Sequence, residues 1–121
     1  MAIQIGKINE KVIKALNLQI MIDTPIYIGE SNINHMKSSH PADYSKYGSD
    51  IAKIISAPDY VGINKSDNSI EYVKEYYVGT EFVKVAVRVS KQNVFFVRSL
   101  YVLNKSRVNS FIKKGTLKAL D

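Results

Sequence analysis

An α+β fold is what the sequence predicts: N-terminal helices packed on a four- to five-stranded antiparallel sheet, with a C-terminal helix. Two observations carry this expectation. Apolar residues recur at helical spacing as far as Pro58, and beyond Pro58 their period falls from about 3.6 to about 2. The stretches between the later runs are short and rich in turn residues, which favours hairpins between consecutive strands.

The elements follow in order. Ile8, Val12, Ile13 and Leu16 fall on one face of a helix over 9–18, with Asn9 and Glu10 at its start. Pro25-Ile26-Tyr27-Ile28-Gly29 reads as a short extended segment. Ser31 then caps a helix over 32–39 that carries His35. Pro41 disfavours helical geometry at His40 yet fits the first position of a new helix, predicted over 42–56 with Tyr44, Tyr47, Ile51, Ile54 and Ile55 on one face. Strands are predicted over 60–63, 69–77, 81–89 and 93–102, joined by turns at 64–68, Gly79-Thr80 and 90–93. A helix over 105–113, capped by Ser106, stops at Gly115.

Length and composition bound the function. The chain has 121 residues, 45% hydrophobic and 23% charged, which suits one globular domain over 1–121. It has no cysteine, so disulfides, thiolate metal sites and cysteine nucleophiles are excluded. Two histidines make a poor metal site, and no cofactor or metal is expected. No apolar run approaches the ~20 residues that cross a bilayer, and the first residues lack the order of a signal peptide, so a cytoplasmic location, or export by a route that leaves no N-terminal mark, is expected. The net charge of +6 suits a polyanionic partner, because each phosphate neutralised by Lys or Arg releases counterions. Basic charge also occurs in domains that are merely soluble, so the motifs must decide.

Strand parity supplies a candidate surface. Over 93–102, Phe95, Val97, Ser99 and Tyr101 point one way, and Val94, Phe96, Arg98, Leu100 and Val102 the other. In the preceding strand Val83, Val85, Val87 and Val89 form an apolar face, leaving Phe82, Lys84, Ala86 and Arg88 on a more polar one. Arg88 and Arg98 lie inside strands, where a guanidinium either clamps phosphate or discourages edge-to-edge aggregation. Histidine gives and takes protons near neutral pH, and RNA carries its own nucleophile in the 2′-hydroxyl. His35 or His40, with Lys37, Arg88, Arg98, Ser99 and Tyr101, could therefore cleave RNA without a metal. His35 and His40 sit about 140° apart on a continuous helix, so they share a site only if the helix breaks before Pro41. No Gly-rich phosphate loop, His-Glu-x-x-His pair, Gly-x-Ser-x-Gly elbow or calcium loop is present, and the eleven carboxylates are scattered along the chain.

Several stretches in this order resemble the phage-associated nucleases of the superfamily that groups barnase, EndoU, colicin-type tRNases and RelE. They are Ile5-Gly6-Lys7-Ile8, Ser31-Asn32-Ile33-Asn34-His35, His40-Pro41-Ala42-Asp43-Tyr44, Ala57-Pro58-Asp59-Tyr60-Val61-Gly62, Val85-Ala86-Val87-Arg88 and Val97-Arg98-Ser99-Leu100-Tyr101. The resemblance implies helices before a four- or five-stranded antiparallel sheet and metal-independent cutting of RNA, tRNA among the targets, by a phage or mobile-element effector or toxin. It also implies His35, His40, Arg88, Arg98, Ser99 and Tyr101 as the matching site positions, with Ser99 where the family often has Thr.

The expectation is an endoribonuclease. His35 is the principal acid or base, His40 a second proton carrier or RNA contact, Ser99 and Tyr101 donors to phosphoryl oxygens, and Lys37, Arg88 and Arg98 contacts to phosphate. An acidic inhibitor or immunity protein would suit the charge. The rivals are a non-catalytic RNA-binding or virion-associated module and a protein-interaction domain.

Overall fold

A computed structural model describes residues 2–77 and 80–120. In chain order its elements are β1 (Ile3–Ile8), α1 (Glu10–Leu16), β2 (Thr24–Ile28), α2 (Glu30–Ser39), α3 (Pro41–Tyr47), a 3-10 turn (Gly48–Asp50), α4 (Ile51–Ser56), β3 (Tyr60–Ile63), β4 (Ile70–Tyr76), β5 (Glu81–Val89), β6 (Phe95–Leu103), α5 (Lys105–Lys114) and β7 (Leu117–Ala119). Gly79 of the expected Gly79-Thr80 turn lies outside the described residues. No helix among the described residues is long and apolar enough to cross a membrane.

The expected α+β architecture is present, with a larger sheet than the sequence predicts. Seven strands take the order β1-β2-β6-β5-β4-β3-β7. The predicted meander is its centre, β3 to β6 pairing antiparallel in sequence order. The short segment at Pro25 becomes β2, antiparallel to β1 and parallel to β6. The unpredicted strands β1 and β7 are the two edges. Neither has a long alternation to betray it: in β1 Ile3 and Ile5 alternate with Gln4 and Gly6 but Lys7 ends the pattern, and β7 has three residues. Gly62 in β3 makes room for β7, because a Cβ there would fall 2.0 Å from the Thr116 carbonyl oxygen.

The sheet buries apolar side chains on both faces. Val83, Val85, Val87, Ile70, Tyr72, Val97 and Leu100 pack with Val12, Met36, Tyr47, Ile51, Ile54 and Ile55 of α1 to α4. On the opposite face Val73, Phe82, Leu103 and Leu117 pack with Val108 and Phe111 of α5. The helices thus cover both faces, α1 to α4 on one and α5 on the other. α5 covers this face over β7, Val73 and the adjoining ends of β5 and β6, and farther along β5 and β6 the face is open at Arg88, Phe96, Arg98 and Ser99.

Local chemistry adjusts the predicted boundaries. Asn104, not Ser106, caps α5, accepting from the Arg107 N–H at 2.8 Å. α2 starts at Glu30 after Gly29, whose N–H donates to Asn32 Oδ1 at 2.8 Å, so Ser31 is not its cap. The continuous helix expected over 42–56 is broken at Gly48, where the Tyr44 ring lies 2.9 Å from the place a Cβ would occupy.

The break expected before Pro41 is also real: α2 ends at Ser39, His40 is non-helical, and Pro41 opens α3. β2 pairs with β6 only at Phe95 and Phe96, which leaves the rest of that β6 edge for α2 and α3. The Asp43 carboxylate accepts from the Val102 N–H at 3.0 Å, doing for that edge what a neighbouring strand would have done. Tyr47 donates to Glu81, and Tyr76 to Asp50 at 2.9 Å, so the end of α3 and the turn after it are tied to β5 and β4. Burial and the Glu81 carboxylate push the Tyr47 hydroxyl up to about 12.

Asp43→Ala removes a charged acceptor from a strand N–H. It is expected to lower stability by about 1.5 kcal/mol, measured by urea denaturation. Asp43→Asn, which keeps an acceptor oxygen, is expected to lose less than half as much.

Candidate active site

On the face that α5 partly covers, three neighbouring strands each contribute one side chain to a polar cluster. Lys84 of β5 and Tyr101 of β6 are directly opposite each other, and Glu71 of β4 opposes Ala86, one diagonal from Lys84. Lys84 Nζ lies 2.8 Å from Glu71 Oε2, with side chains only 8% and 13% exposed. The same ammonium stands 4.7 Å from the centre of the Tyr101 ring. Asn64 Nδ2 donates to Glu71 Oε2 at 3.5 Å. Burial pulls the Lys84 pKa down, but hydrogen bonds to the Glu71 carboxylate and the Tyr101 hydroxyl outweigh it, and the net is above 10.5. Lys84 is therefore a fixed positive charge at neutral pH.

His40 completes the cluster from the helical side. Its imidazole stacks on the Tyr101 ring with centroids 4.9 Å apart and planes at 28°. The position follows from the chain break: as the non-helical residue between α2 and α3, His40 is held at the β6 edge by the Asp43 contact three residues on.

Around Glu71, Lys84 and Tyr101 lies a groove of about 490 Å3, walled by the turn at Asn64, Lys65 and Ser66 and by Arg107, Phe111 and Lys114 of α5. Four of its lining residues are cationic and Glu71 is its single acid. Such a groove focuses positive potential and draws an anionic ligand towards a floor that holds a paired charge. Arg107 is kept over the Phe111 ring at 5.5 Å, which directs the guanidinium along the wall.

The other candidate residues separate into groups. Ser99 is on the same face as Tyr101, opposite the small Ala86. Arg98 comes to this face too, against the simple parity. The β5–β6 register shifts between Ala86 and Val87, so Ser99 opposes Ala86 while Val97 opposes Val87, and Arg98 is the extra residue of a bulge. The bulge reverses the assignments before it: Phe95 and Val97 belong with Leu100 and Val102 in the helical core, and Phe96 and Arg98 with Ser99 and Tyr101 outside it. Arg88 and Arg98 share a recess of about 180 Å3, and Arg88 Nη1 is 3.7 Å from Asp67 Oδ2. Lys37 points away, over the Tyr44 ring on the helical side. His35 is exposed on α2, 3.5 Å from Ser39 Oγ, and no hydrogen bond or ring contact joins it to Tyr101, Lys84 or Glu71.

Glu71, Arg107 and Lys114 were not foreseen as site residues. Glu71 looked like one of many scattered carboxylates until the strand register brought it beside Lys84. Its signal was an acid and a base on the non-apolar faces of adjacent strands. Among the described residues, no group of three or more His, Asp or Glu side chains is arranged to hold a metal ion.

Residues 3–110 match the family model described as phage-Barnase-EndoU-ColicinE5/D-RelE like nuclease3. The chain belongs to this phage-associated nuclease family. No curated protein and no solved structure matches it. For a member of this nuclease family, the basic groove with its buried carboxylate has the charge and chemistry that a nucleic-acid substrate requires.

Truncating one partner of the floor pair leaves a buried charge alone. Lys84→Ala is expected to lower stability by about 3 kcal/mol, and Glu71→Leu with Lys84→Met to recover most of it, both read from denaturation midpoints. Since Lys84 titrates higher in the folded chain than its ordinary 10.5, the pair's contribution is complete below that pH and is lost as pH rises through the folded value. Wild-type stability should therefore fall more steeply than that of the double variant in strong alkali.

Proposed function

We propose that this nuclease is an endoribonuclease that cuts RNA by attack of the 2′-hydroxyl, without a metal, in the groove over Glu71, Lys84 and Tyr101. The observation that carries the reading is the buried carboxylate–ammonium pair beside a tyrosine, all three lining one cationic groove, with a histidine stacked on that tyrosine.

The chemistry requires a base, an acid and donors for the phosphorus-bound oxygens. Glu71 takes the proton from the 2′-oxygen, which bonds to phosphorus. His40 gives a proton to the departing 5′-oxygen as the P–O5′ bond breaks, leaving a 2′,3′-cyclic phosphate. Lys84, with the Tyr101 hydroxyl, faces the charge that builds on the phosphoryl oxygens, and Arg107 binds the phosphate from the wall. The two proton carriers lie to either side of the Lys84–Tyr101 contact, which suits an in-line displacement. His40 replaces His35 as the principal histidine because it alone of the two touches the cluster. Ser99 adds a hydroxyl on the strip leading away from the groove, where Arg88 and Arg98 meet a phosphate further along the strand.

An active ribonuclease needs restraint in its host. The groove's cations suit an acidic inhibitor that would enter it as RNA does. tRNA is a candidate target on the strength of the family resemblance.

In EDTA, the purified chain is expected to cut single-stranded RNA to 2′,3′-cyclic ends and to leave a 2′-O-methyl copy intact. Glu71→Gln and His40→Ala should each slow cutting about 10²- to 10⁴-fold. The loss at His40→Ala should exceed that at His35→Ala by at least about ten-fold. Cutting of the 2′-O-methyl copy, or equal losses at the two histidines, would overturn the assignment.

A further inference from the structure

The same open face carries a second constellation beyond the groove. The parallel pairing of β2 with β6 sets Tyr27 beside Phe96, with ring centroids 6.2 Å apart and planes at 46°. Both are half-buried, and neither belongs to either apolar core. Two large rings left side by side on a sheet face, contributing to no core, are a surface looking for a planar apolar ligand.

Arginines adjoin the rings. Phe96 is directly opposite Arg88, and the bulge turns Arg98 onto the same recess, which Asn32 and Ser90 also line. Arg98 is exposed and has no ion-pair partner among the described residues. Asp67 stands 3.7 Å from Arg88, and hydrogen bonds from Ser69, with the nearby arginines, hold its carboxyl below the usual carboxylate range. Arg88 is nonetheless about a third exposed, so Asp67 orients the guanidinium and leaves it room for another anion.

We infer that Tyr27, Phe96, Arg88 and Arg98 form a second nucleotide subsite, in which a nucleobase stacks on the rings and the arginines hold its phosphate. The inference rests on the ribonuclease reading for its place on the substrate. Arg88 is four residues from Lys84 along β5, about 13 Å at the rise of a strand, so the bound nucleotide is one flanking the cut and not the one being cut. Stacking on a sheet face needs an unpaired base, so the substrate is single-stranded over this stretch. Charge favours nucleic acid over a peptide here, because planar rings and unsealed guanidinium groups together match base and phosphate.

Anisotropy measurements with labelled 2′-O-methyl hexanucleotide and dinucleotide test this, since neither is consumed. Phe96→Leu, which keeps the apolar volume and loses the ring, is expected to weaken hexamer binding about ten-fold, as is Tyr27→Leu. Phe96→Tyr should bind as the wild type does. Arg98→Ala should weaken the hexamer and reduce the slope of log affinity against log salt by about one. The ratio of hexamer to dinucleotide affinity should fall in each weakened variant. Unchanged hexamer binding in both leucine variants, or no hexamer binding by the wild type, overturns the subsite. Ring-dependent hexamer binding by a protein that cuts no RNA would keep the subsite and remove the ribonuclease reading. Cutting with ring-independent binding would do the reverse.

Discussion

The buried pair between Lys84 and Glu71 is the constraint on which the site depends. A lysine and a glutamate inside a sheet are each unfavourable alone, since desolvation of an unpaired charge costs several kcal/mol. At 2.8 Å they neutralise each other, and the hydroxyl and ring of Tyr101 complete the ammonium's surroundings. An apolar pair in the same volume would serve stability as well or better. Retaining charges here makes sense for chemistry: a carboxylate oxygen and a fixed cation are presented to the same groove without having to be ordered when a substrate arrives.

That pair can face solvent at all because α5 covers only part of its sheet face. Val108 and Phe111 seal that face over Val73, Phe82 and Leu117, and the helix then supplies Arg107 and Lys114 as one wall of the groove. On the opposite side α3 takes the place of a strand along β6. Asp43 satisfies the Val102 N–H, and this anchor sets His40 over Tyr101. His40 is therefore positioned by a side-chain-to-backbone hydrogen bond made three residues away, and its placement inherits the rigidity of the strand edge.

Most of the fold was legible in the sequence because its signals are local. The change of period at Pro58, Pro41 as a helix opener and the four central strands each follow from neighbouring residues. What escaped depends on distant partners. β1 and β7 are strands because β2 and β3 offer edges to them. The site divides in the same way. The polar face of β5 and the partnership of Ser99 with Tyr101 could be read from alternation, whereas Glu71 needed the register of β4 on β5, and His40 could be preferred to His35 only once α3 was docked.

The bulge at Arg98 shows how much can turn on one unreadable residue. Strict alternation puts Arg98 on the core side, where a guanidinium has no partner and a strand with Leu100 and Val102 on that side would be strained to hold it. One extra residue relieves the conflict: Val97 and Phe95 take the core positions, and Arg98 and Phe96 move to the open face beside Arg88. The same slip that keeps a charge out of the core therefore assembles an arginine pair and an aromatic on the surface that leads to the groove. A sequence pattern that conflicts with regular pairing thus marks the position where the sheet's irregularity and its ligand-facing chemistry coincide.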